Sequence, residues 1–166
     1  MRTYALSAMG ADRPGIVATI SERLVAHGVN VTDSHMGILR GHFAMTLIVA
    51  VPDDVRALED DLRRAADELG LEALTLAPVA DAAPMGTEPT HTVTVYGADH
   101  TGIVAAVART LADAGVNVVD LNTRLTGDLY VMFLEVAAPD GVPDLGDVAR
   151  AQGVEVSVQP LDTDVI

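Results

Sequence analysis

Residues 10–18 read GADRPGIVA, and residues 97–105 read GADHTGIVA. The same 87-residue offset returns Gly28-Val29-Asn30-Val31-Thr32-Asp33 as Gly115-Val116-Asn117-Val118-Val119-Asp120. From residue 10 to residue 33, 13 of 24 positions are identical at that offset. The chain therefore reads as one unit written twice. Outward from the repeated loop, Phe43, Met45, Leu47 and Val49 return as Tyr130, Met132, Leu134 and Val136. Beyond Pro139 the offset falls to 83, where Gly70-Leu71-Glu72 matches Gly153-Val154-Glu155. A loss of four residues is about one helical turn, which predicts a helix there in both copies. Residues 81–89 contain Pro84, Gly86 and Pro89 and read as a linker between domains at 1–80 and 90–166.

Within one copy, residues 3–9 alternate, with Leu6 and Ala8 on one face, as a strand does. Ile16, Val17, Ile20 and Leu24 form one helical stripe over 14–27, with Pro14 in the first turn, Asp12 in the cap region and Gly28 at the left-handed exit. Residues 29–39 and 42–51 read as strands around Arg40-Gly41. A second helix follows with Val55, Leu58, Leu62, Ala65 and Leu69 in line, and a last strand covers 71–78. The order is βαββαβ, twice. That predicts an α+β fold of two ferredoxin-like domains, each an antiparallel sheet with both helices on one face. Alternation puts Ala44, Ile48, Val131 and Phe133 on the other face, so an apolar surface there calls for a covering element or a dimer partner.

Composition narrows the function. The 166 residues carry a formal net charge of −14, and all ten basic residues are Arg. Direct nucleic-acid binding needs a basic surface, so this balance opposes it. The one basic doublet, Arg63-Arg64, sits among acids and reads as a solvated helix face. With no cysteine, disulfides, thiolate metal sites and thiol catalysis are excluded. No apolar run reaches the ~20 residues of a membrane span, and no signal-like segment opens the chain. A cytoplasmic protein without membrane attachment is the expectation.

The repeated loop suggests a binding chemistry. A helix N-terminus offers free N–H groups and partial positive charge, suited to a carboxylate. Asp12 supplies a negative charge for an ammonium, and the Asn30 carboxamide both donates and accepts. Loop and strand start are expected at the end of the sheet or along its edge. Together they suit a zwitterionic amino acid. The same residues also fit a purely structural reading, with Asp12 a helix cap, Gly15 a packing glycine and Gly28-Val29-Asn30 a helix exit.

The sequence resembles the ACT domain, a small-molecule-binding regulatory module of amino-acid metabolism. The resemblance rests on D-R-P-G-I-V at Asp12–Val17, G-V-N-V at Gly28–Val31 and the βαββαβ order, twice. The second copy departs from it with His100-Thr101 where the first has Arg13-Pro14. The resemblance implies a ligand held between two ACT domains, by the loop of one and the second strand of its neighbour. Carried over, the ligand-binding residues are Asp12, Gly15 and Asn30 in the first copy and Asp99, Gly102 and Asn117 in the second. A chain of two ACT domains is also similar to the glycine cleavage system transcriptional repressor group. That likeness implies a regulatory protein that acts through a protein partner, such as a transcription regulator; a homodimer and no cofactor are expected.

Catalytic signals are weak. His27, His35, His42, His91 and His100 show neither H-x-H nor H-E-x-x-H spacing, so no metal site is expected. Ser7, Ser21 and Ser34 lie in no nucleophile elbow. Neither phosphate-loop nor dinucleotide-binding spacing occurs. The expectation is a non-catalytic amino-acid sensor; the alternative is a ligand-independent interaction module.

Overall fold

Strand β1 (Arg2–Ala11) buries Tyr4, Leu6 and Ala8 and leaves the residues between them on the opposite face. This is the alternation expected of a sheet covered on one side. The computed structural model describes residues 2–52, 54–80 and 88–161. They fall into two compact units, Met1–Ala83 and Pro84–Ile166. Most of the expected linker, residues 81–87, lies outside the described residues.

In the first unit β1 is followed by α1 (Ile16–Ala26), β2 (Asn30–Leu39), β3 (His42–Val51), α2 (Val55–Leu69) and β4 (Leu71–Pro78). The sheet order is β2-β3-β1-β4, with every neighbouring pair antiparallel. Ile16, Ile20 and Leu24 of α1 and Leu58 and Leu62 of α2 share a core with Phe43, Met45, Leu47, Val49 and Val51 of β3. Each such side chain contributes about 1.5–3 kcal/mol when fully buried. With only two Phe and no Trp in the chain, the core is filled mainly by aliphatic side chains and Met.

The second unit repeats the plan with β5 (His91–Ala98), α3 (Ile103–Asp113), β6 (Asn117–Thr126), β7 (Leu129–Ala137), α4 (Gly146–Gln152) and β8 (Val154–Pro160). Its sheet order is β6-β7-β5-β8. The ferredoxin-like arrangement is therefore present twice. The strands β2 and β6 even carry a bulge at the same place, between Val31 and Asp33 and between Val118 and Asp120.

Two local expectations change. The helix α1 begins at Ile16, with Gly15 as its N-cap, so Pro14 precedes the first turn and Asp12 is no cap. Gly15 has φ 97°, which turns the chain into the helix without a capping side chain. The last helix is also shorter than a four-residue loss implies: α4 has 7 residues against 15 in α2. Pro143 has no N–H to give a helix, and residues 138–145 form an irregular connection instead.

Each sheet leaves one face without helices. In the first unit Thr75, Ser7, Thr46 and His35 form one row across all four strands, flanked by Ala44, Ala73 and Met9. They line a shallow hollow of about 270 Å³. In the second unit Phe133, 48% exposed, holds the place of Thr46.

Candidate functional site

The loop after β1 is tied down at its start. The Asp12 N–H donates to the Gly41 carbonyl in the β2–β3 turn at 2.8 Å. The first helical bond of α1 runs from the Thr19 N–H to the Gly15 carbonyl. The amides of Ile16, Val17 and Ala18 thus have no acceptor within the helix. No side chain caps them, and the first turn carries no acidic residue. The second unit is built the same way. Gly102 has φ 105°, Ala106 is the first residue to donate back, and no side chain caps α3. Two uncapped helix starts, each opened by a left-handed glycine, can accept an anion on backbone N–H groups.

Asp12, Gly15, Asn30, Asp99, Gly102 and Asn117 are all exposed. Neither Asn carboxamide has a hydrogen-bond partner among the described residues. The structure does not bring the loop and the Asn of one unit together. Ala11 pairs with His42 at one end of β3, whereas Asn30 pairs with Ala50 near the other. Those two β3 positions are eight residues apart, about 26 Å at ~3.3 Å per residue. The same holds for Ala98 with Leu129 and Asn117 with Ala137. Loop and strand start thus lie at opposite ends of the sheet, with Asn30 on the edge strand β2. In a βαβ unit the helix returns the chain to the far end of the sheet before the parallel strand begins.

The loop is also anchored to the second helix, by residues the sequence reading passed over. Arg13 Nη2 donates to the Glu68 carbonyl at 3.0 Å, near the end of α2. At the equivalent place, His100 Nε2 lies 2.6 Å from the carbonyl oxygen of Gln152, the last residue of α4. Its Nδ1 lies 3.1 Å from the Thr101 carbonyl oxygen. What looked like a departure from the motif keeps the contact with a different side chain. The signal was present: both copies hold a residue able to carry positive charge directly after the loop Asp.

A second overlooked group bridges the helices of the first unit. Asp61 of α2 is only 8% exposed. It accepts hydrogen bonds from Arg23 at 3.0 Å and Arg64 at 3.1 Å, and it lies 3.1 Å from His27 Nε2. Burial by itself raises the Asp61 pKa, but the His27 hydrogen bond and the two guanidinium groups outweigh it and leave the carboxyl below its ordinary value. The charged run around Arg63-Arg64 predicts a solvated face, and Asp61 departs from it by turning into the helix interface. The second unit has Thr110 and Ala114 where Arg23 and His27 stand. No group of three His, Asp or Glu suited to a metal occurs among the described residues. No helix among them is long and apolar enough to cross a membrane.

Residues 3–74 and residues 91–152 each match a family model of the ACT domain. The chain belongs to the ACT-domain family. Its tandem ACT units are similar to a phosphoserine phosphatase of Mycobacterium tuberculosis, 30% identical over 164 residues. That match covers 93% of this chain and 40% of the phosphatase, so the chain spans well under half of that relative. A UPF0237 protein of Methanopyrus kandleri is 38% identical over 77 residues, covering 45% of this chain and 86% of that protein. Among solved structures, an unknown protein from Galdieria sulphuraria has a TM-score of 0.77 and 27% identity, covering 96% of this chain and 98% of its own. A candidate glycine cleavage system transcriptional repressor has a TM-score of 0.73 at 16% identity, covering 96% of this ACT chain and 97% of its own. The latter likeness is one of fold.

Proposed function

We propose that this tandem ACT chain is a non-catalytic sensor of a small amino acid, which passes its signal to a protein partner. The observation that carries the reading is the uncapped helix start behind Gly15, built again behind Gly102. Free first-turn amides suit the ligand carboxylate, and Asp12 or Asp99 suits its ammonium. Asn30 and Asn117 then serve a neighbouring unit rather than their own. Two like units paired antiparallel along β2, or along β6, bring the Asn of one beside the loop of the other. The partner unit comes from a second copy of the chain, as a homodimer. The exposed edge strands β2 and β6 are open to such pairing.

The relatives favour a ligand of the glycine–serine size class, since one is named for glycine cleavage and another for phosphoserine. A role in transcriptional control of glycine metabolism follows the first, without direct contact to nucleic acid at a net charge of −14. A cytoplasmic setting fits such a role. A second reading, an interaction module that ignores amino acids, is favoured by the exposure of both Asn residues.

Calorimetric titration of the whole chain with glycine, serine and the other amino acids separates the two. The sensor reading expects saturable binding of one of them, weakened about tenfold or more in Asn30→Ala or Asn117→Ala, as for a lost hydrogen bond to a charged group. A folded chain that binds none of them leaves the interaction module.

A further inference from the structure

We propose that the residue after the loop Asp is a latch that positions the ligand loop against the second helix, and that protonation of His100 operates it in the second unit alone. The proposal bears on ligand binding only through the reading above that this loop belongs to the site.

The geometry comes first. Arg13 reaches the Glu68 carbonyl with a guanidinium that stays charged at all ordinary pH. It passes the helix C-cap closely, since a Cβ at Gly70 would stand 3.8 Å from Nη2. His100 is in contact with two oxygens, the carbonyls of Thr101 and Gln152, through its two ring nitrogens. A carbonyl only accepts. Both contacts are hydrogen bonds only when both ring nitrogens carry a proton, which is the imidazolium. The neutral ring can make one of them and must set a bare lone pair against the other oxygen.

The surroundings agree. The Thr101 and Gln152 carbonyls raise the affinity of His100 for its second proton; partial burial opposes them and Asp99 adds to them. Asp99 lies on the same loop and lines a hollow with Asp128 of the β6–β7 turn. Burial raises the pKa of Tyr130 of β7, and the charge of Asp99 adds to it. The charged groups of α4 are Arg150 and Asp147, paired with each other. At the start of β8, Glu155 accepts from Tyr96. Deprotonation therefore costs the ring one of its two hydrogen bonds and weakens the hold of the loop on α4, beside Gly102, whose Cβ position would lie 3.5 Å from Gln152 Oε1. The first unit stays latched and the second loosens as pH rises through the histidine range.

Hydrogen exchange of the ligand-free chain tests this without reference to any amino acid. The Ala106 amide, which donates to the Gly102 carbonyl, is expected to lose about tenfold protection, corrected for intrinsic rate, between about pH 5.5 and about pH 8.5, while the Thr19 amide, which donates to the Gly15 carbonyl, does not change. His100→Arg removes the dependence, and Arg13→His creates it in the first unit. A parent-like pH response in His100→Arg, or a pH-independent loop in Arg13→His, overturns the latch. Nitrogen-15 spectra of the unaltered chain give a second check: protons on both ring nitrogens of His100 below its midpoint, with that midpoint above the ordinary histidine value. A midpoint at or below that value also overturns it. Failure here leaves the calorimetric test of the sensor unaffected, and failure there leaves the latch standing as a loop device.

Discussion

At the residue scale the two loop glycines carry distinct consequences from their neighbours. Gly15 and Gly102 have φ of 97° and 105°, a backbone region that L side chains rarely adopt. A Cβ at Gly15 meets nothing within 4 Å, so its replacement costs backbone conformation and no packing. Gly15→Ala is expected to destabilise the first unit by about 1–2 kcal/mol, measured by urea unfolding. Core packing should be untouched, so the m-value should not change. A larger loss would mean that the loop makes contacts beyond those described. The loop Asp residues have a different standing. Asp12 reads as a cap in the sequence because Asp favours that place, yet the turn passes the capping position on to glycine. The amides this leaves open are what makes the loop a candidate site.

At the scale of elements, the helix pair of the first unit is held by a charge network that the second lacks. Asp61 is the hub, contacted by Arg23, His27 and Arg64. Its pKa is lower in the folded state than in the unfolded chain, because these contacts outweigh burial. The stabilisation is present above the ordinary Asp range and is lost as pH falls through the depressed folded value. Acid titration followed by a first-unit probe, such as exchange protection of α2, should show this loss, and Asp61→Asn should flatten it. For His100 the sign is opposite. Its raised pKa stabilises the second unit at low pH, and the effect fades as pH rises past the ordinary histidine value. The two units should therefore respond to pH in opposite senses, although they share one fold.

At the scale of the whole molecule, charge dominates. A net charge of −14 spread over 166 residues makes the folded state repel itself. Raising sodium chloride from about 0.01 M to about 0.15 M shortens the screening length from ~30 Å to ~8 Å. The melting temperature should rise by a few degrees over that range, as read by differential scanning calorimetry. No rise would mean that local ion pairs such as Arg23–Asp61, which salt weakens, offset the general repulsion. Acidity of this degree also opposes direct contact with nucleic acid.

How much was legible in the sequence follows from the range of the forces involved. Repeat, element order and core stripes were readable because periodicity of 2 and 3.6 is local: Leu6 with Ala8, and Ile16 with Ile20 and Leu24, declare their faces within one element. The loop glycines were legible as special for the same reason. What only the tertiary structure decided was where distant segments meet. The register of β3 separates Asn30 from Asp12 by most of the sheet. The return of α2 beside α1 draws Asp61 from a charged run into the helix interface, and the end of α4 gives His100 its second oxygen. Hydrogen bonds act over about 3 Å, so partners 34, 38 or 52 residues apart in the chain are chosen by packing and not by local pattern.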